Sequence, residues 1–201
     1  MIKRNLLVMG LAVLLSACGF QLRGTGTTEL AIKELDLSAR NAYGETVTQM
    51  RQVLESSGVK VYTGAPYKLV LTDEQENQRI LSYAGAGRTG EYQVTTVLNY
   101  DIRGQNNLDL LSDKLEVQKI FMHDGNNLVG SDQEAATARG ETRRELIQRM
   151  MLRLQQLTPA QLDQLQQTAD ARAKAEAAAL EAAQKAEAET PRQSPLELPK
   201  Q

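Results

Sequence analysis

Residues Glu91–Arg103 alternate almost without a break. Tyr92, Val94, Thr96, Leu98, Tyr100 and Ile102 share one parity. Glu91, Gln93, Thr95, Asn99, Asp101 and Arg103 share the other, with only Val97 intruding. A period of two over such a length is that of a β-strand with one face in a core and one in water. Gly104-Gln105-Asn106-Asn107 then supplies turn residues, and Leu111–Met122 carries Leu111, Leu115, Val117 and Phe121 in one register. The pattern predicts a long antiparallel hairpin that needs a second layer to cover its apolar face.

Two segments can supply that layer. In Asn41–Ser57, Tyr43, Val47, Met50 and Leu54 follow helical spacing, and Gly58 stands where a left-handed stop belongs. Ser131-Asp132-Gln133-Glu134 has the spacing of a capping box, and the helix behind it carries Leu146, Ile147, Met150, Met151 and Leu154 to about Leu157. Thr158-Pro159 then starts a short helix with Leu162 and Leu165. Leu30 and Ile32 lie on one parity, Leu35 and Leu37 on the other, so the switch at Lys33-Glu34 predicts a bulged strand. Val59–Tyr62 and Tyr67–Thr72 are β-rich, with Gly64-Ala65-Pro66 breaking between them. The order β-α-β-β-β-α predicts an α+β fold. It is a two-layer α/β sandwich over 29–168, with a four-stranded, mostly antiparallel sheet and two helices on one face.

The two ends have a different character. Lys3 and Arg4 precede an apolar stretch, Leu6–Leu15, well short of the roughly 20 residues that cross a bilayer. Leu15-Ser16-Ala17-Cys18 fits the lipobox of a bacterial lipoprotein signal. On this reading 1–17 is a signal peptide, and the Cys18 thiol takes a diacylglycerol through a thioether. Its freed α-amino group takes a further acyl chain, and 18–28 is a lipidated linker. Several buried chains give stable anchoring at ~0.8 kcal/mol per CH₂. Gly19 rather than Asp follows the cysteine, a pattern similar to lipoproteins sent to the outer membrane of enteric-type bacteria. Ala169–Gln201 contains 11 Ala, 11 charged residues and three Pro. Its Ala169–Glu189 part reads as a frayed or solvated helix and the rest as a flexible, Pro-containing tail.

Charge and composition exclude whole classes. Lys+Arg total 23 against 25 Asp+Glu, a net charge of −2, which argues against a generic nucleic-acid binder. One Cys rules out an internal disulfide, and one His rules out multi-histidine metal sites. No cofactor is expected beyond the covalent lipid on Cys18. Gly85-Ala86-Gly87-Arg88-Thr89-Gly90 matches G-x-G-x-x-G, but the expected strand behind it removes the helix that would hold a phosphate. His123-Asp124-Gly125 reads as a surface turn. Arg139, Arg143, Arg144, Arg149 and Arg153, interleaved with Glu141 and Glu145, read as a solvated, salt-bridged helix face. Arg79, Arg88 and Lys119 lie in or beside strands near the glycine loop, where they could meet lipid phosphates. An accessory lipoprotein of a barrel-assembly machine and a periplasm-facing enzyme with His123 as base are the alternative readings.

The lipobox leads into Cys18-Gly19-Phe20-Gln21-Leu22-Arg23-Gly24. With the β-α-β-β-β-α core and the Glu91-Tyr92-Gln93 strand start, this resembles the LptE family of lipopolysaccharide-assembly lipoproteins over about Met1 to Leu157. The resemblance implies a non-enzymatic outer-membrane lipoprotein that sits as a plug in the LptD β-barrel. It implies help in LptD assembly, contact with lipopolysaccharide, and its placement in the outer leaflet. Basic residues that some members carry before the Glu-Tyr-Gln strand and before the last helix match Gly85 and Ser131 here, neither of them charged. Arg88 is the nearest substitute, with Arg79 and Lys119 as the other candidates for lipopolysaccharide contact.

Overall fold

The computed structural model describes residues 30–84 and 89–189. The expected signal peptide 1–17 and linker 18–28, with Cys18, and also Arg88 and residues 190–201 lie outside them. The chain runs β1 (Glu34–Ala39), α1 (Glu45–Ser56), β2 (Lys60–Val61), β3 (Lys68–Ala84), β4 (Thr89–Arg103), β5 (Asp109–Asp124), α2 (Leu128–Gln155) and α3 (Pro159–Glu189).

The fold is α+β, with a mixed sheet of five strands in the order β2-β1-β3-β4-β5 rather than the four expected. β1 pairs parallel with both β2 and β3, while β3, β4 and β5 are antiparallel. The extra strand is β2, two residues long, split from β3 by the Gly64-Ala65-Pro66 break. There are three α-helices among the described residues, the expected short helix after Thr158 and the expected solvated helix over Ala169–Glu189 being one continuous element beside the two layered helices. α3 continues through Glu189 for 31 residues, because alanine-rich sequence costs little to keep helical once its first turns are anchored. β3 is 17 residues long and passes the expected stop at Thr72. Beyond that point it holds no apolar alternation, since every residue from Glu74 to Tyr83 is exposed.

The β4 alternation holds. Leu98, Tyr100 and Ile102 join Leu69 and Leu71 of β3 and Val117 of β5 in one core. Val47, Met50 and Leu54 of α1 and Leu146, Ile147, Met150 and Leu154 of α2 cover them. Burying such a side chain is worth about 1.5–3 kcal/mol, so this layer contact carries the fold. The parity switch at Lys33-Glu34 marks the point where β1 begins; Leu30 and Ile32 are buried in the segment before it, without a bulge. Tyr43 precedes α1 and is 96% exposed, so the helical stripe starts at Val47. The stop at Gly58 is as expected: φ is +81, Val59 N–H donates to Leu54 O at 3.1 Å and Gly58 N–H to Glu55 O at 3.0 Å.

α2 starts earlier than the Ser131 box implies. Asn127 caps it by accepting from Gly130 N–H at 3.1 Å. Ser131, buried, accepts from Asp124 N–H at 2.7 Å and donates to Asp124 O at 3.1 Å. It therefore clamps the end of β5 to α2. Thr158 caps α3 as expected, accepting from Gln161 N–H at 3.3 Å while the Gln161 side chain accepts from Thr158 N–H at 3.0 Å.

A second, smaller cluster lies toward the β3–β4 turn: Val94 and Phe121 from the sheet, Ala135 and Ala138 from α2. Between the two clusters Thr96 donates to Thr142 Oγ1 at 3.1 Å, and Thr142 donates to Arg139 O at 2.8 Å.

Candidate functional site: the outer half of the sheet

β1 stops at Ala39, but β3, β4 and β5 continue together as a three-stranded antiparallel extension. The β3–β4 connection, 85–88, lies outside the described residues. It joins two strands, so the G-x-G-x-x-G motif is flanked by β-structure on both sides. Gly90 is required there by close approach: a Cβ would stand 2.4 Å from the Ser82 carbonyl oxygen.

The two faces of the extension differ. On the helix side, Tyr92 lies 5.8 Å from Phe121 and 4.7 Å from His123, centroid to centroid. The alanines at 135 and 138 let α2 come close over them. Ile80, in register with Tyr92, and Tyr83, in register with Gly90, are exposed beside this cluster. On the open side a side-chain ladder crosses all three strands. Arg79 Nε donates to Gln93 Oε1 at 2.8 Å, Gln93 Nε2 donates to Gln118 Oε1, and Gln118 Nε2 donates to Glu116 Oε1 at 2.6 Å. Gln93 is buried within it. Ile120 and Met122 are exposed on the same side, with Leu128 and Val129 exposed at the start of α2.

Arg79 and Lys119 do not form one cluster. Arg79 is on the open face with Gln93. Lys119 pairs in register with Val94, hence on the helix face, and its Nζ lies 3.3 Å from Glu145. Hydrogen bonds from Arg149 and Lys119 hold the Glu145 carboxyl below its ordinary range. His123 is not in a turn: it belongs to β5, paired with Gly90. The α2 arginines reach further than a solvated helix face. Arg149 does bridge Glu145 one turn away, at 2.6 Å, but also donates to Glu116 O at 2.6 Å. Arg139 reaches Glu76 at 2.6 Å, Arg143 pairs with Glu45, and Arg153 donates to Asp113 at 2.5 Å. They tie α2 to the sheet and to α1. The Arg153 bond keeps the Asp113 carboxyl below its ordinary range.

The amide ladder and the exposed apolar rim were not evident from single strands. The β4 pattern puts Gln93 on the polar face, but only the β3–β4 register brings Arg79 opposite it. Among the described residues no group of three or more His, Cys, Asp or Glu is placed to hold a metal ion, and no helix is long and apolar enough to cross a membrane.

A small two-layer domain offering hydrogen-bonding amides and an apolar rim has the means of a binding protein. The family model for LptE, described as lipopolysaccharide-assembly, matches residues 32–154. The chain belongs to the LptE family. The LPS-assembly lipoprotein LptE of Yersinia enterocolitica is 27% identical over 170 residues, 82% of each chain. That of Pectobacterium atrosepticum is 29% identical over 153 residues, 74% of this chain and 83% of its own. Among solved structures, the rare lipoprotein B of Shewanella oneidensis superposes with a TM-score of 0.55 at 20% identity, covering 60% of this chain and 92% of that one. The lipoprotein B of Nitrosomonas europaea gives 0.56 at 19%, covering 69% and 89%. These two show the shared fold.

Proposed function

We propose that the chain is an outer-membrane lipoprotein, anchored through lipid on Cys18, that occupies the lumen of the LptD β-barrel as a plug. In that position it assists LptD assembly and the delivery of lipopolysaccharide to the outer leaflet, without catalysing a reaction. The family match over residues 32–154 is the observation that carries this reading. The open face of the sheet supports it: Arg79, Gln93 and Gln118 form a polar surface of the kind a water-filled barrel interior accommodates. A lipid tether supports it too, by raising effective concentration beside a membrane partner. Arg88, Arg79 on the open face of β3 and Lys119 on the helix face of β5 are the proposed lipopolysaccharide contacts.

Extraction in mild detergent tests the reading. LptD is expected to co-purify with the chain, and a Cys18→Ser variant is expected to lose membrane attachment. Recovery of the chain alone, with LptD insertion normal in cells depleted of it, would overturn the proposal.

A further inference from the structure

The two edges of the outer, three-stranded part of the sheet are finished differently. On β5, Arg149 takes up the Glu116 carbonyl, Arg153 holds Asp113, and Ser131 holds both backbone groups of Asp124. On β3 the last bond toward the neighbouring strand is Arg40 N–H to Leu71 O, where β1 leaves. From there to Ala84 the strand pairs on one side only, with β4.

The ladder tells which groups are left over. Glu116 O faces away from β4, so its partner Val97 bonds instead toward β3, at Gln75. Alternation then turns the N–H and C=O of Glu74, Glu76, Gln78 and Ile80 outward. Among the described residues, none of these groups meets a hydrogen-bond partner. Register is unbroken from Asp73 to Ile80, between shifts at Leu71/Asp73 and Ile80/Ser82. An exposed run of this kind is a template for another strand.

The side chains along the edge select what would lie there. Near its start, the Glu74 carboxylate receives only a hydroxyl hydrogen bond, from Thr46 at 2.8 Å. Asp73 is 4.0 Å from Arg40, whose side chain is 82% exposed. Glu76 adds a third carboxylate, bridged by Arg139. A cleft of about 490 Å³ opens beside these residues, between β3, α1 and Arg143. Toward the other end the edge offers exposed Ile80 and Tyr83.

We infer that the β3 edge from Glu74 to Ile80 receives an extended segment of another protein by strand addition. The segment carries basic side chains beside Glu74 and Glu76 and apolar ones beside Ile80 and Tyr83. It takes up the line of β1 where β1 departs. Main-chain bonds would supply affinity, and the alternating side chains would supply selectivity.

A fluorescent peptide, Thr-Lys-Thr-Lys-Thr-Val-Thr-Val, and its reversed sequence are suitable probes for the full-length chain in detergent. One of them is expected to bind saturably and to slow amide exchange at Glu76 and Gln78. Gln78→Pro removes one outward N–H while sparing the β4 ladder, and is expected to weaken binding at least tenfold. Gln78→Ala removes the side chain alone and is expected to change binding less than twofold. Should the proline variant fail to fold, N-methylation of alternate peptide amides reads out the same bonds: one parity abolishes binding and the other does not. Equal binding by both N-methylated parities overturns the proposal. So does equal affinity for Gln78→Pro and the parent when both fold. Protection of α1 and α2 instead of β3, or a concentration-dependent dimer that protects Glu76 and Gln78 without peptide, overturns it in favour of another site or a second copy.

Discussion

Thr96 on β4 and Thr142 on α2 meet hydroxyl to hydroxyl at 3.1 Å, both buried, at the junction of the two apolar clusters. The donor chain is complete, because Thr142 passes its own hydrogen to the Arg139 carbonyl. Toward the base of the sheet the next residues on the same faces are Leu98 and Leu146. Toward the β3–β4 turn they are Val94 and Ala138. A polar pair thus separates the main core from the satellite one.

Replacing one member should cost more than replacing both. Thr142→Val strands the Thr96 hydroxyl and is expected to destabilise by about 1–3 kcal/mol. The double change Thr96→Val with Thr142→Val should recover most of that. Urea unfolding of the four proteins in the cycle measures the coupling.

Gly90→Ala is expected to destabilise by roughly 1–3 kcal/mol, because the new methyl would press on the Ser82 carbonyl at 2.4 Å. Hydrogen exchange should show the loss concentrated in the β3–β4 end of the sheet.

Asp113 gives stability a definite dependence on acid. Its carboxyl is held below the ordinary value, first by the Arg153 hydrogen bond and then by the Lys114 amide. A depressed folded-state pKa contributes stability that is full above the unfolded value and lost as pH falls through the folded one. Asp113→Asn is therefore expected to flatten the acid limb of the stability–pH curve below about pH 4, with the difference from the parent largest at neutral pH. Thermal melts across that window measure it.

Truncation after Asp170 should leave the unfolding free energy nearly unchanged, within about 0.5 kcal/mol of the parent by urea titration. Nearly every residue of α3 beyond that point is exposed. The helical circular dichroism signal should fall.

On the proposed function, Arg88→Asp is expected to weaken lipopolysaccharide binding by about tenfold, the scale of a lost charge-assisted hydrogen bond. Arg139→Asp should weaken it less, since Arg139 is already engaged by Glu76 and Gln78. Equal losses in a direct binding assay would remove the loop as a contact site.

What the sequence disclosed followed its apolar residues. The β4–β5 hairpin, the α1 and α2 stripes and the Gly58 stop were legible because burial at Leu98, Met50 and Leu146 imposes a period. The outer part of β3 was illegible for the opposite reason: Glu74–Tyr83 is held by backbone pairing, and its apolar residues Ile80, Leu81 and Tyr83 are exposed and follow no alternation. Ser131 misled because its hydroxyl serves Asp124 rather than its own helix. Arg79 and Lys119 were close in prospect, but strand parity set them on opposite faces.

α3 is one helix from Pro159 to Glu189, fixed near its beginning by Leu162, by Tyr67 on Asp163 and by Gln166 on the Gln105 amide. A loose tail would wander through a sphere. This one keeps a compass bearing, and its far end stands about 28 Å beyond Asp170 at roughly 1.5 Å per residue. Any surface it presents has a phase as well as a distance. Two residues inserted after Ala171 would swing the far side of the rod more than halfway round, while seven would bring it nearly back into line.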